Sequence, residues 1–185
     1  NDEIHLMTDQ LAALGYTALA VDLYDGKTAN APKDAYQLST NLSNNEARAL
    51  ANLQEAYDYL KNEIGAEKIG IIGWCLGGKW SLKASLMLPT EIDASVIYYG
   101  SLTDDKERLE TLEMPIIGFV GTKDRLHKQF IQFDEDLKGL NKEASIHFYE
   151  GAKHAFANAS GGAYESNAAE DSWKKTVDFL DKHLN

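Results

Sequence analysis

The sequence predicts an α/β fold, in which helices cover both faces of a mostly parallel β-sheet. Apolar runs of strand length alternate with segments of helical periodicity along the chain. These runs are nearly continuous in apolar residues, as in parallel strands buried on both faces. With 185 residues and no internal repeat, the chain is long enough for one substantial core. We therefore expect a single domain over residues 1–185.

The chain begins with a predicted helix whose apolar residues, from Ile4 to Leu14, recur at three- and four-residue spacing. Gly15 is expected to end this helix. The first predicted strand follows at Tyr16–Leu23, a run rich in Ala, Leu and Val. Four further strands with the same pattern are predicted at Lys68–Gly73, Asp93–Tyr98, Pro115–Gly121 and Ala144–Tyr149.

Helical segments lie between the predicted strands. Ser43 and Glu46 form a capping-box pattern that predicts a helix continuing to Ile64. Other helices are predicted at Gly77–Leu88, Lys106–Leu112 and Leu126–Leu140, and a last helix has Trp173, Val177, Leu180 and Leu184 on its inward face. Gly26–Asn44 and Asn158–Ser166 are polar and are expected to be surface loops near a site, with a role as plain solvated connections equally open.

Composition excludes several classes of partner. The formal net charge is −11 and no run of Lys and Arg interrupts it, so nucleic acid and anionic membranes are poor partners. No apolar stretch is long enough to cross a bilayer. The single cysteine allows no internal disulfide, and no Cys/His spacing suggests a zinc site. A free thiol favours the cytoplasm, although a lost leader stays open.

That cysteine, Cys75, lies where a buried strand runs directly into the turn Gly73–Gly78 and then into a helix. A nucleophile in a sharp strand-to-helix turn needs small residues two positions before and after it, as Gly73 and Gly77 are. The helix N-terminus would also stabilise a thiolate. Inert packing is the usual role of a lone cysteine, but the strand, Gly-x-Cys-x-Gly and helix in this order favour a nucleophile.

A nucleophile of this kind needs a base and an orienting carboxylate. Asp124 follows the strand Pro115–Gly121, and His154 follows the strand Ala144–Tyr149. Because the carboxyl ends of parallel strands meet at one edge of a sheet, both should lie near Cys75. The order nucleophile, acid, histidine is the one expected of an α/β hydrolase.

Other candidates are weaker. Solvated or packing roles are favoured for four histidines, namely His5, His127, His147 and His183. Asp22 and Asp25 flank a strand end and more often serve as turn or capping residues. Aromatic residues expected to line a pocket are Tyr24, Trp74, Tyr98 and Phe156, with ordinary core packing as the alternative.

Together these residues resemble the dienelactone hydrolase family, a cysteine-using branch of the α/β hydrolases. The resemblance rests on Ala20–Tyr24, Ile71–Gly78, Gly121–Asp124, Gly151–Phe156 and the last helix, and so covers almost the whole chain. It implies an α/β-hydrolase fold that acts on small-molecule esters or lactones without metal or cofactor. It also implies that Cys75 is the nucleophile, His154 the general base and acid, and Asp124 the residue orienting His154.

The backbone N–H of Leu76 would donate to the oxyanion, by the resemblance and by the geometry of the turn. Two departures from the family pattern are expected to matter. Family members begin with further strands and a His-Glu segment, so the chain is expected to be N-terminally incomplete. Asn158 stands where members that bind dienelactone have an arginine, which favours a neutral ester or lactone.

Two alternatives to an ester or lactone hydrolase with a Cys-His-Asp triad and an acyl-enzyme intermediate stay open. The first is a truncated or non-catalytic binding module with hydrolase architecture, whose uncovered sheet edge would suit a homodimer. The second is a thiol sensor, for which the chain offers no second cysteine to resolve an oxidised Cys75.

Overall fold

A computed structural model describes residues 2–29 and 31–185. The chain divides into two compact units, residues 1–65 and residues 66–185. The expectation that they form a single domain stays a prediction.

Among its described residues, the first unit has helices and no strand. It contains α1 (Asp2–Ala13), α2 (Pro32–Asn44) and α3 (Glu46–Asp58), and a π-helical turn, Tyr59–Glu63, continues α3. The predicted first helix is confirmed, and Gly15 follows its end with a positive φ of 97°. Apolar side chains buried in this unit are Leu11, Leu42, Ala49 and Leu53.

Three expectations for this unit are wrong. Tyr16–Leu23 forms no strand, because a strand needs a hydrogen-bonded neighbour and the described residues up to 65 contain no strand to pair with it. Most of Gly26–Asn44 is not loop but α2, although Asn30 lies outside the described residues. Ser43 caps no helix, since its hydroxyl donates to the carbonyl oxygen of Ser39 within α2.

The second unit contains the sheet. Its strands are β1 (Gly70–Trp74), β2 (Ala94–Tyr98), β3 (Ile116–Gly121) and β4 (Ala144–Tyr149). They pair in the order β1-β2-β3-β4, and every pair is parallel. The four sequence-predicted strands of this unit are therefore confirmed, with starts shifted by up to two residues. The side chains of β2 and β3 are buried throughout.

Helices α4 (Leu76–Met87), α5 (Lys106–Glu110), α6 (His127–Gly139) and α7 (Ser166–Leu184) complete this unit. The hydroxyl of Ser85 in α4 donates to Ser95 on one face of β2, at 2.9 Å. Tyr98, three residues further along β2, points to the opposite face, where its hydroxyl lies 2.7 Å from that of Thr176 in α7. Helices thus cover both faces of a parallel sheet, as predicted.

Candidate active site

Cys75 forms the sharp turn between β1 and α4. Its backbone lies at φ 55° and ψ −113°, a conformation that L-residues rarely adopt. The N–H of Cys75 donates to the carbonyl oxygen of Tyr98 at the end of β2, at 2.9 Å. The turn is thereby fixed to the neighbouring strand, and the side chain of Cys75 is exposed.

Close approach of β1 and α4 makes glycine necessary at position 73. A Cβ atom there would lie 2.2 Å from the carbonyl oxygen of Gly77. The expectation that Gly77 must also be small is not met, because a Cβ at 77 would have nothing within 4 Å. The second close approach is at Gly78, where a Cβ would lie 2.7 Å from the carbonyl oxygen of Tyr98.

Gly73→Ala is therefore expected to lower the free energy of unfolding by roughly 3 kcal/mol or more, since backbone atoms block the added methyl group. Gly77→Ala is the matched control, and we expect it to change stability by at most about 1 kcal/mol, towards greater stability, because alanine favours helix. Urea unfolding of both variants measures the difference. Equal losses would contradict the assigned contact.

Asp124 lies in the loop after β3, and its side chain is fully buried. One carboxylate oxygen accepts a hydrogen bond from the backbone N–H of Leu126 at 2.9 Å. The other lies 2.7 Å from Nδ1 of His154. The carboxylate is thus held by its own loop and presents a single oxygen to the imidazole.

His154 lies in the loop after β4, which is joined to the Asp124 loop by further hydrogen bonds. The N–H of Lys123 donates to the carbonyl oxygen of Ala152 at 3.0 Å, and the N–H of Gly151 donates to Oγ1 of Thr122 at 2.8 Å. Acid and histidine therefore belong to one hydrogen-bonded assembly of two loops.

The imidazole of His154 connects the acid to the thiol. Its Nε2 lies 3.1 Å from Sγ of Cys75, while Nδ1 contacts Asp124. This is the nucleophile, base and orienting-acid geometry that activates a nucleophile. The structure brings together all three residues selected from the sequence.

The electrostatics favour charge separation between Cys75 and His154. Their mutual hydrogen bond is the largest effect on both groups, lowering the pKa of Cys75 and raising the pKa of His154. Burial opposes both shifts, while Asp124 adds to the rise at His154. The positive charge of Arg125 contributes a smaller lowering of the pKa of Cys75. Both shifts act in the direction of a thiolate and an imidazolium.

Leu76 begins α4, and its backbone N–H lies close enough to the sulfur to hydrogen-bond it, which also lowers the pKa of Cys75. When the sulfur attacks a carbonyl group, negative charge develops on the carbonyl oxygen next to it. An N–H group at the helix N-terminus, beside the sulfur, is well placed to donate a hydrogen bond to that oxygen. The oxyanion role of Leu76 stays a prediction.

The four aromatic residues expected to line a pocket are in different environments. Tyr98 and Phe156 are buried, with exposed fractions of 1% and 0%, which favours the core-packing alternative for both. Burial also raises the pKa of Tyr98 to about 12. Trp74 is half-buried and stacks on Tyr98 with ring centroids 5.3 Å apart. Its contact with substrate stays a prediction.

Tyr24 belongs to the first unit, where it lines a cavity of about 140 Å³ together with residues of α2 and α3. Its substrate-binding role stays a prediction. The two neighbouring carboxylates have local structural contacts. Asp22 accepts a hydrogen bond from the N–H of Tyr24 at 2.8 Å, and Asp25 forms an ion pair with Arg48 at 2.6 Å.

The other histidines lie outside the triad. His147 contacts the hydroxyl of Ser145 and stacks on Phe119, and His127 begins α6 as expected. His183 packs against Phe179. Among the described residues, no group of three or more His, Cys, Asp or Glu side chains is placed to hold a metal ion. No described helix is long and apolar enough to span a membrane.

Two residues near the site were not predicted from the sequence. Tyr99, directly after β2, places its ring 5.2 Å from that of His154. Arg125 adds its charge next to Asp124. Both follow strands at the edge that carries the triad, and this position is the one sequence signal that could have identified them.

A parallel sheet with a strained cysteine turn and a histidine–aspartate pair at its carboxyl edge is typical of the α/β-hydrolase fold. The dienelactone hydrolase family model matches residues 1–184. The chain belongs to this family, and is thereby a hydrolase of ester or lactone bonds.

Individual relatives agree with this assignment. The chain is 32% identical to Protein usf of Aquifex pyrophilus, over 95% of this chain and 79% of that protein. It is 28% identical to carboxymethylenebutenolidase of Pseudomonas putida, over 90% of this chain and 74% of that protein. The crystal structure of P91, a dienelactone hydrolase-like promiscuous phosphotriesterase from metagenomic libraries, shares the fold with a TM-score of 0.88, at 20% identity over all of this chain and 82% of that one.

Proposed function

We propose that the protein cleaves a small-molecule carboxylic ester or lactone through a covalent acyl-enzyme on Cys75. The observation that carries this proposal is the continuous contact from Asp124 through His154 to the thiol, with distances of 2.7 and 3.1 Å. A base in contact with its nucleophile and oriented by a buried carboxylate is what nucleophilic acyl transfer requires.

The reaction begins with the thiolate of Cys75 attacking the carbonyl carbon, while the carbonyl oxygen becomes an oxyanion. The N–H of Leu76 donates to that oxyanion. As the tetrahedral intermediate collapses, the bond to the leaving oxygen breaks and the imidazolium of His154 gives its Nε2 proton to that oxygen. The product of this half-reaction is a thioester on Cys75.

In the second half-reaction, neutral His154 accepts a proton from water as the water attacks the thioester carbonyl. Collapse of the second intermediate expels the sulfur as thiolate and releases the carboxylic acid. Asp124 stabilises the imidazolium in both halves and keeps the ring oriented. Asn158 carries no charge, and its side-chain oxygen accepts hydrogen bonds from the N–H and the hydroxyl of Ser160. This position therefore offers no cation for a substrate carboxylate, which supports a neutral substrate.

The acyl-enzyme can be detected directly because the chain has one cysteine. We expect p-nitrophenyl acetate to acetylate Cys75. His154→Ala, assayed above the usual thiol pKa of about 8.5 so that the thiol ionises without the imidazole, should accumulate this adduct because the variant lacks the base for deacylation. Intact mass and peptide mapping after a rapid acid quench measure the adduct. Turnover by the wild type with no adduct on the Cys75 peptide in either protein would contradict the proposal.

The same experiment separates a binding module from an enzyme. A binding module would retain the ester without releasing p-nitrophenol, and no acetyl group would reach Cys75. Assembly as a homodimer and a cytoplasmic location stay predictions.

A further inference from the structure

Tyr99 occupies an unusual backbone conformation beside the triad. Its φ is 36°, which is rare for a bulky residue and indicates a conformation maintained by its surroundings. Two hydrogen bonds and one close backbone approach hold this segment. The N–H of Tyr99 donates to the carbonyl oxygen of Phe119 at 2.8 Å, and Tyr98 accepts from the N–H of Cys75 at 2.9 Å. A Cβ at Gly100 would lie 2.4 Å from the backbone of α4.

This conformation places the ring of Tyr99 between two residues of the loop after β4. Tyr99 is 2% exposed, and its ring centroid lies 5.2 Å from that of His154 and 5.3 Å from that of Phe156. The Tyr99 and His154 rings are inclined at 63°, in an edge-to-face arrangement. The residue therefore contacts the imidazole without being one of the three triad groups.

The contacts of His154 restrict which edge of its ring an aromatic face can meet. Nδ1 contacts Asp124 and Nε2 contacts Cys75, so both nitrogens are engaged. The carbon edge remains, and it becomes more positive when the imidazole is protonated. A cation within about 6 Å of an aromatic face is stabilised by the negative face of the ring.

From this arrangement we propose that Tyr99 presents its aromatic face to the carbon edge of the His154 ring, and that it acts as a positioning residue that supports the protonated form of His154 and thereby the charge-separated state with Cys75. The role deepens the proposed function, since the imidazolium is the proton donor to the leaving group. The titratable and charged groups facing the pair are Asp124, which contacts His154, and Arg125, whose charge acts on Cys75. Neither group supplies an aromatic face.

The test is the pH dependence of Cys75 alkylation by iodoacetamide, which requires no ester turnover. We expect Tyr99→Phe to retain the wild-type profile because the ring remains. Tyr99→Leu should move the alkylation midpoint to higher pH by about 0.5 to 1 pH unit and lower kcat/KM by roughly 3- to 30-fold. Phe133→Leu, at a buried aromatic of α6 outside the triad, is the control for the lost ring volume and should leave the midpoint unchanged.

A second substitution preserves the shape of the site in case Tyr99→Leu does not fold. Incorporation of 3,4,5-trifluorophenylalanine at position 99 weakens the negative face of the ring and keeps its size. Relative to Tyr99→Phe, we expect the alkylation midpoint to rise. An unchanged or lower midpoint, or a Tyr99→Phe profile as altered as that of Tyr99→Leu, would overturn the proposal. Because alkylation is measured apart from hydrolysis, failure of the acyl-enzyme proposal would be seen separately, as absence of acetylated Cys75.

Discussion

Cys75→Ala is expected to lower kcat for p-nitrophenyl ester hydrolysis by about 10⁴-fold or more, because the variant lacks the atom that forms the thioester. Cys75→Ser is the graded comparison. Its hydroxyl must lose a proton during attack and has a far higher pKa than a thiol, whereas the contact with His154 lowers the pKa of the Cys75 thiol. We therefore expect activity between that of the wild type and that of the alanine variant.

Steady-state hydrolysis of all three proteins should be measured beside their thermal unfolding midpoints, so that loss of the nucleophile is distinguished from loss of the fold. A Cys75→Ala variant that retains turnover within tenfold of the wild type would assign the chemistry to another residue. Alkylation by iodoacetamide should label the wild type once and the alanine variant not at all, since the chain has a single cysteine.

Asp124→Asn is expected to lower kcat by about 10⁴-fold, the size of effect known for this change in a Ser-His-Asp triad. The amide keeps the shape of the carboxylate but removes the charge that stabilises the imidazolium. In the wild type the Asp124 contact raises the pKa of His154, and the pKa of Cys75 is lowered chiefly by its hydrogen bond to His154. Without the carboxylate, the pKa of His154 should fall and that of Cys75 should rise.

The pH dependence of Cys75 alkylation should report these changes in pKa. Thiolate in the wild type should persist below the usual thiol pKa of about 8.5, so alkylation should remain fast there. In Asp124→Asn the midpoint should move towards that ordinary value, to higher pH. Asp136→Asn is the matched control, because Asp136 is also a buried aspartate but contacts Lys106 and Gln132 outside the triad. An equal shift in both variants would show a general charge effect.

The sequence was sufficient to predict which three side chains of the candidate site meet. Cys75, Asp124 and His154 each follow a strand of one parallel sheet, and the carboxyl ends of such strands lie at one edge. The order of strands and helices therefore determined which side chains could meet. Local glycine requirements were less predictable, because which backbone atoms approach each other depends on how α4 crosses β1, and the second tight position is Gly78 instead of Gly77.

Features that depend on distant partners could not be predicted in this way. Tyr16–Leu23 has the composition of a strand, but composition does not supply the neighbour that a strand must pair with. Ser43 and Glu46 have capping-box spacing, yet the interruption between α2 and α3 occurs at Asn45. Tyr99 lies beyond the strand at a positive φ, so the alternation of side chains along β2 does not indicate its direction.

The backbone of Cys75 also has a thermodynamic consequence. A non-glycine residue held at φ 55° and ψ −113° lowers the free energy of unfolding by on the order of 1–3 kcal/mol, and glycine would relieve most of this strain. Cys75→Gly would therefore make the fold more stable while removing the proposed nucleophile. In a lineage selected only to remain folded, this position would be among the first to change, whereas selection for the proposed activity would retain the cysteine.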